Sequence, residues 1–168
     1  MSITLRPARP ADVRAIEALV LPLAHRKILL AKELVAYYEA IQEFTVAVDE
    51  DGQVVGCGAL HVMWEDLAEV RTLAVSDAVR GTGVGHRLLD ELLARARALG
   101  LARVFCLTFE VPFFERHGFE VLADGGVDPE VYMQLLRSHD EGVAEFLDLA
   151  RVKPNTLGNT RMILRLES

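Results

Sequence analysis

Over residues 44–75 apolar side chains recur at nearly every second position, and over residues 84–96 they recur every third or fourth. The first period is that of strands and the second that of an amphipathic helix. Phe44, Val46 and Val48 give one strand, Asp51 and Gly52 a hairpin turn, residues 54–63 a second strand, and Leu67 to Val75 a third. Their short connections predict an antiparallel meander. Gly56 and Gly58 inside the second strand predict a bulge or a close backbone approach. In the third strand, alternation assigns Val70, Thr72 and Ala74 to one face and Glu69, Arg71 and Leu73 to the other. The helix that follows buries Val84, Leu88, Leu89, Leu92, Leu93 and Ala96, and turns Arg87, Asp90, Glu91 and Arg95 elsewhere.

Upstream, residues 3–5 form a short strand, and Pro10 and Asp12 open a helix with the stripe Val13, Ile16, Leu19 and Val20. A second helix is expected over about residues 31–42. The segment between them, His25 to Leu30, is basic and then apolar, and reads on its residues as a solvated helix end in preference to a lip that meets an anion. Downstream, Gly100 caps the long helix and residues 102–108 form a buried strand. Strand, glycine turn, helix and strand in that order make a crossover, so this strand is expected parallel to the one ending at Val75. A short helix over residues 112–117, a strand over 118–122, helices near 129–137 and 141–149, and a last strand over 161–166 complete the chain. No repeat or linker divides residues 1–168, so one domain is expected. The class is α+β: a mixed, mostly antiparallel central sheet with flanking helices and one parallel pair around the glycine turn.

That turn carries the first chemical signal. Gly81, Gly83 and Gly85 remove three β-carbons where a strand becomes a helix, so backbone N–H groups at a helix N-terminus can approach a phosphate or pyrophosphate. A nucleotide P-loop is disfavoured, because His86 stands where that chemistry requires lysine followed by a hydroxyl. A dinucleotide fold is disfavoured by the antiparallel strands ahead of the turn. The net charge of −7 argues against nucleic acid as a partner. With 51% apolar residues but no run of about 18 of them, no membrane span is expected. The first residues lack the pattern of a secretory signal, so the cytoplasm is the expected location. Cys57 and Cys106 lie in apolar strands without metal-ligand spacing, which predicts buried thiols and no metal site.

The order of elements and the motifs together resemble the GNAT superfamily of acyl-CoA N-acyltransferases. Its phosphate loop, Arg/Gln-x-x-Gly-x-Gly/Ala, is matched by Arg80 to Gly85, and residues 113–119 resemble its short helix leading into Gly-Phe. The similarity is closer still to the acetyltransferase domain of N-acetylglutamate synthases and spans nearly the whole chain. Residues 27–30, 55–61, 64–71, 104–110 and 114–119 carry it, and residues 153–161 look like those of stand-alone forms. Many synthases add an amino-acid-kinase domain that senses arginine; none is expected here, so feedback by arginine is not assumed.

The resemblance implies a GNAT fold, acetyl-CoA as co-substrate, and transfer to the α-amine of L-glutamate or L-glutamine, the first step of arginine biosynthesis. It implies that backbone amides across Arg80, Gly81, Thr82, Gly83, Val84 and Gly85 hold the CoA pyrophosphate, and that the Leu73 and Val75 backbone pairs with the pantetheine arm. The Leu73 N–H would then meet the thioester oxygen. An α-ammonium must lose its proton before attack, and Glu69 acting through water is the first candidate base, with Glu110 and His61 as rivals. The alternative for Glu69 is an ion pair with Arg71. Many members place a tyrosine in the short helix as general acid; the corresponding residue here is Phe114, and the CoA thiol, for which the reference cysteine pKa is about 8.5, can leave as thiolate. Candidates to hold the acidic amino acid are Lys27, Leu30, Lys32, Arg71, Asn159, Thr160 and Arg161, with Arg71 foremost because a charge in that strand is costly unless paired. Two-domain synthases are more basic near residues 158–161, and the neutral Asn159 and Thr160 make glutamine a candidate acceptor beside glutamate. Two other readings remain: a protein or peptide N-acetyltransferase with an open groove, and a non-catalytic acetyl-CoA sensor. The expected partner is a small amino acid, and a last strand at the sheet edge would support a homodimer.

Overall fold

In a computed structural model that describes residues 2–26, 28–29, 32–122, 127–147 and 159–167, the alternating segments become seven strands. They are β1 (Thr4–Pro7), β2 (Phe44–Val48), β3 (Val54–Trp64), β4 (Leu67–Val75), β5 (Arg103–Thr108), β6 (Glu120–Val121) and β7 (Thr160–Arg165). The helices are α1 (Val13–His25), α2 (Leu34–Glu39), α3 (Val84–Ala98), α4 (Val111–Glu115), α5 (Pro129–Leu135) and α6 (Glu141–Phe146). The sheet order is β1-β2-β3-β4-β5-β7-β6. β4 and β5 are parallel, while β1 with β2, β2 with β3, β5 with β7 and β6 with β7 are antiparallel. This is the mixed α+β sheet that the hydrophobic periods predict. Among the described residues no helix is long and apolar enough to cross a membrane.

Three expectations are corrected. The last strand is not an edge: β7 is paired by β5 on one side and β6 on the other, so its backbone cannot offer the open ladder that a strand-paired dimer would use. The helix expected from residue 31 is described only as Leu34–Glu39, residue 31 itself lying outside the described residues. At Ala40 the chain tightens into a 3₁₀ turn over Ile41–Glu43, closed by Glu43 N–H to the Ala40 carbonyl, and so enters β2. The short helix after β5 ends at Glu115, where Gly118, with φ of +91°, lets Phe119 N–H return to the Phe114 carbonyl.

The chain falls into two compact units, Met1–His61 with Val70–Gly100, and Val62–Glu69 with Leu101–Ser168. In the first, α1 and α2 cover one face of the strands through Val13, Ile16, Tyr37, Phe44, Cys57, Ala59 and Ala74. The other face receives α3. A β-carbon at Gly58 would lie 2.9 Å from Leu92 Cδ1 and 3.1 Å from Leu73 Cδ1, and one at Gly56 would lie 2.9 Å from Leu88 Cδ1. The glycines of β3 therefore mark a close approach by α3, and the register with β2 also slips beside Gly56: Ala47 pairs with Gly56 and Val48 with Val54, which leaves Val55 as an extra residue of β3. In the second unit Met63, Leu67, Phe105 and Ile163 pack against Leu135, Val143 and Phe146 of α5 and α6, with the Phe105 and Phe146 rings edge to face at 5.2 Å.

β4 departs from simple alternation. Ala74 clusters with Cys57 and Ala59 of β3. Met63, on the same face of β3 by its two-residue period, clusters with Leu67. One face thus holds an odd residue of β4 at its start and an even one near its end. The slip falls at Thr72, whose φ is +57°. Glu69 registers with Phe105 on the Leu67 face, whereas Leu73 and Val75 turn to α3. The assignment of Leu73 to the face of Glu69 is corrected accordingly.

The close approach of α3 is testable. Gly58→Val places branched carbons where Leu92 and Leu73 already sit, and overpacking of this kind costs about 1–3 kcal/mol. A fall of that size in the denaturant unfolding free energy is expected, and a variant as stable as the parent would contradict the contact.

Candidate functional site

The predicted site residues divide between the two units. The first holds Lys32, Arg71, Leu73, Val75 and the turn from Arg80 to Gly85; the second holds Glu69, Glu110, Asn159, Thr160 and Arg161. Lys27 and Leu30 lie outside the described residues.

The turn is built by local bonds. After β4, the Ser76 hydroxyl accepts from Ala78 N–H at 3.2 Å and caps a 3₁₀ turn, Asp77–Val79, which the apolar pattern did not signal. The Thr82 hydroxyl donates to the Val79 carbonyl. Gly81 and Gly83 have φ of +78° and +88°, a region open to glycine and strained for other residues. Gly83 is the N-cap of α3, and the first helical bond runs from Arg87 N–H to its carbonyl. The amides of Val84 and Gly85 precede that bond and carry the positive end of a fifteen-residue helix. Two of the six expected amides are otherwise engaged: Arg80 N–H bonds the Asp77 carbonyl and Thr82 N–H that of Val79. The Arg80 side chain pairs with Asp77 at 3.1 Å in an exposed position. An anion at this turn is therefore offered the Gly81, Gly83, Val84 and Gly85 end of the motif.

In the same unit Arg71, Leu73 and Val75 are half-buried, while Thr72 and Ala74 are buried. The parallel register with β5 covers Leu67, Ala68 and Glu69. Among the described residues it stops there, which leaves the Leu73 and Val75 stretch of that edge without a β5 partner. Beneath it the Cys57 thiol donates to the Thr72 carbonyl at 3.4 Å. Burial pushes the Cys57 thiol up to about 12, with the Ala74 N–H and the Lys32 charge acting against the rise. Lys32, half-buried, is thus close enough to Cys57 for its charge to be felt there. His61 Nδ1 lies 2.7 Å from Glu43 Oε1, a carboxylate that orients the ring. Arg95 of α3 fastens the segment carrying Glu43 through the Glu43 carbonyl at 2.9 Å and the Gln42 carbonyl at 3.3 Å.

In the second unit Glu69 is only 5% exposed, close to Cys106, whose thiol is pushed well up by burial first and by the Glu69 charge second. Glu110 is exposed at the start of α4, with its N–H on the Thr108 hydroxyl at 2.7 Å. Phe114, 6% exposed, stands edge to face with both Phe113 and Phe119 at 5.2 Å, so this ring is a packing element and carries no acid. Arg161 donates to the Phe146 carbonyl, which commits one arm of its guanidinium to the end of α6. Thr160 registers with Thr108. Asn159 is buried, and among the described residues its Oδ1 has no hydrogen-bond partner, an arrangement that suits a site awaiting a donor. A cleft of about 570 Å³ lies in this unit between Trp64, Asp66, Arg103, Asp128 and Arg165, and no residue singled out above lines it. Among the described residues no cluster of three metal-ligating side chains occurs.

Sequence reasoning missed Thr72, which carries no residue-type signal for a positive φ, while the expected buried thiol at Cys57 is found in the core. It also named His61 without its partner Glu43, since that pairing is eighteen residues distant.

Known proteins resemble this chain in sequence and in fold. The family profile described as Acetyltransferase (GNAT) family matches residues 17–119. A Mycobacterium tuberculosis protein named amino-acid acetyltransferase is 57% identical over 164 residues, covering 96% of this chain and 94% of its own. The crystal structure of a Mycobacterium tuberculosis protein in complex with CoA and NLQ is 57% identical, with a TM-score of 0.93 over 98% of this chain and 99% of that one. N-acetylglutamate synthase from Neisseria gonorrhoeae, complexed with coenzyme A and N-acetyl-glutamate, is 28% identical with a TM-score of 0.78. That match covers 100% of this chain and 36% of the longer one.

A β-carbon at Gly83 would meet nothing within 4 Å, so Gly83→Ala isolates the backbone strain. The left-handed region costs an L-residue roughly 1–2 kcal/mol, partly offset by a stiffer unfolded chain. We expect a loss of about 1 kcal/mol in unfolding free energy, and a smaller rise in melting temperature on adding CoA than the parent shows. An equal rise in both proteins would remove the turn from the anion site.

Proposed function

The chain belongs to the GNAT family of acetyltransferases, and from that premise we propose that it is an amino-acid N-acetyltransferase moving the acetyl group of acetyl-CoA to the α-amine of glutamate or glutamine. The observation that carries this reading is the 57% identity, over nearly both whole chains, with the Mycobacterium tuberculosis amino-acid acetyltransferase. The Neisseria gonorrhoeae synthase, complexed with N-acetyl-glutamate, supports an acceptor of the glutamate type.

The donor is held by backbone. The amides of Gly81, Gly83, Val84 and Gly85, at the positive end of α3, take the CoA pyrophosphate. The Leu73 and Val75 backbone pairs with the pantetheine arm as an added strand would, and the Leu73 N–H meets the thioester oxygen. One such donor, removed from a well-studied site, costs roughly 3 kcal/mol. The acceptor is held by cations: Arg71 on β4 and Lys32, whose charge reaches Cys57, take its carboxylate charge, guanidinium matching carboxylate in two bonds. Lys27 and Leu30 stay in the proposal on the strength of the resemblance. Asn159, with its unsatisfied oxygen, and Thr160 suit a neutral amide donor, which keeps glutamine beside glutamate. Arg161, with one arm of its guanidinium on the Phe146 carbonyl, is a further candidate cation for the acceptor.

In the reaction the α-amine nitrogen attacks the thioester carbonyl carbon, the carbon–sulfur bond breaks, and CoA leaves as thiolate. The proton of the amine passes through water to Glu69, which is 5% exposed. His61, oriented by Glu43, is the rival base. Phe114 supplies no proton, so the thiolate takes its own from solvent.

Release of free CoA thiol, followed with glutamate, glutamine, other amino acids and peptides, tests the reading. Turnover with glutamate or glutamine is expected; turnover only with peptides would replace it with a protein acetyltransferase, and tight acetyl-CoA binding without turnover with a sensor. Glu69→Gln is expected to lower the rate most at low pH and less as the amine deprotonates unaided. A pH profile parallel to the parent's would remove Glu69 as base.

A further inference from the structure

Thr72 is a β-branched residue at φ of +57° inside a strand. Such a backbone costs on the order of 1–3 kcal/mol and persists only where its surroundings hold it. The surroundings here are specific. Thr72 is 8% exposed, and its carbonyl receives the S–H of Cys57, itself fully buried, at 3.4 Å. The thiol keeps its proton throughout the working pH range, because burial raises it to about 12, and so acts as a donor and never as a nucleophile. The Ala74 N–H turns to the same sulfur. The thiol therefore lies between the carbonyl before Leu73 and the amide after it.

The Thr72 carbonyl and the Leu73 N–H belong to one planar trans peptide unit, in which the two point in opposite directions. A group that fixes the carbonyl on one side fixes the N–H on the other. We propose that Cys57 is a positioning residue for acetyl transfer: its bond to the Thr72 carbonyl aims the Leu73 amide at the place where the thioester oxygen sits. This rests on the reading of the Leu73 amide as an oxyanion donor. A purely structural role is the competing account, since Cys57 also packs among Val13, Ile16 and Ala59.

Three variants separate the two. Cys57→Ser keeps a donor on a smaller side chain, Cys57→Ala keeps neither donor nor volume, and Cys57→Val keeps volume without a donor. We expect Cys57→Ala and Cys57→Val to lose kcat by about tenfold or more, less than the roughly 10²–10³ of a deleted oxyanion donor because the amide is misaimed and still present. KM for acetyl-CoA is expected to stay within about twofold, as the turn and pantetheine contacts are untouched. Cys57→Ser is expected to recover most of kcat although its melting temperature is lowered like that of Cys57→Ala. Wild-type kcat in Cys57→Val, or kcat that follows melting temperature across all three variants, would overturn the proposal. The ratio of acetyl-CoA to CoA affinity, measured by calorimetry on the same proteins, does not require turnover. Collapse of that ratio in Cys57→Ala supports the positioning role; an unchanged ratio overturns it, even if the wild-type protein acetylates none of the amines offered and the functional reading itself fails.

Discussion

A planar peptide joins Thr72 to Leu73, and the positive φ at Thr72 decides where everything after it in β4 can point. Before the slip, Glu69 shares a face with Leu67 and Phe105; after it, Leu73 and Val75 turn to α3. The two glycines of β3 follow from that turn, since Leu73 and Leu92 together occupy the space that a β-carbon at Gly58 would need. α3 is brought down onto the strands, and with it the glycine turn at its start. The slip thus couples an internal strain to the position of the N-terminal end of α3, and packing of this kind is what lets such strain persist in a folded chain.

Donor and acceptor are handled by different kinds of group. Backbone amides at Gly81, Gly83, Val84, Gly85 and Leu73 face the donor in the proposed reaction, and their geometry is set by turns and strand pairing more than by side-chain identity. In the same proposal the acceptor depends on side chains: Arg71 and Lys32 for charge, Asn159 and Thr160 for neutral bonds. Asn159 Oδ1, buried and without a hydrogen-bond partner among the described residues, is costly unless a donor meets it. Glu69, buried and next to Cys106, lies four residues before Leu73 on the same strand.

Much of the fold was legible because it rests on local signals. Alternation predicted β2, β3 and β4; the three-four period predicted α3; the order around the glycine turn required a parallel β5. The site's turn was legible for the same reason, as only glycine tolerates φ of +78° and +88° at low cost. What stayed hidden depends on distant or non-glycine chemistry. Nothing about threonine announces a positive φ, so the slip and the true facing of Leu73 could not be read. Insertion of β7 between β5 and β6 is a pairing between segments far apart in the chain, and it removed the expected edge strand. The commitment of Arg161 to the Phe146 carbonyl depends equally on the folded chain.

The central claim is that the slip in β4 aims the Leu73 amide at the thioester carbonyl. Amide resonances of ¹⁵N-leucine-labelled protein, compared between saturation with CoA and with acetyl-CoA, test it directly. The two ligands differ only by the acetyl group, so a downfield shift of the Leu73 N–H specific to acetyl-CoA is predicted. A Leu73 resonance identical in the two complexes would contradict the account.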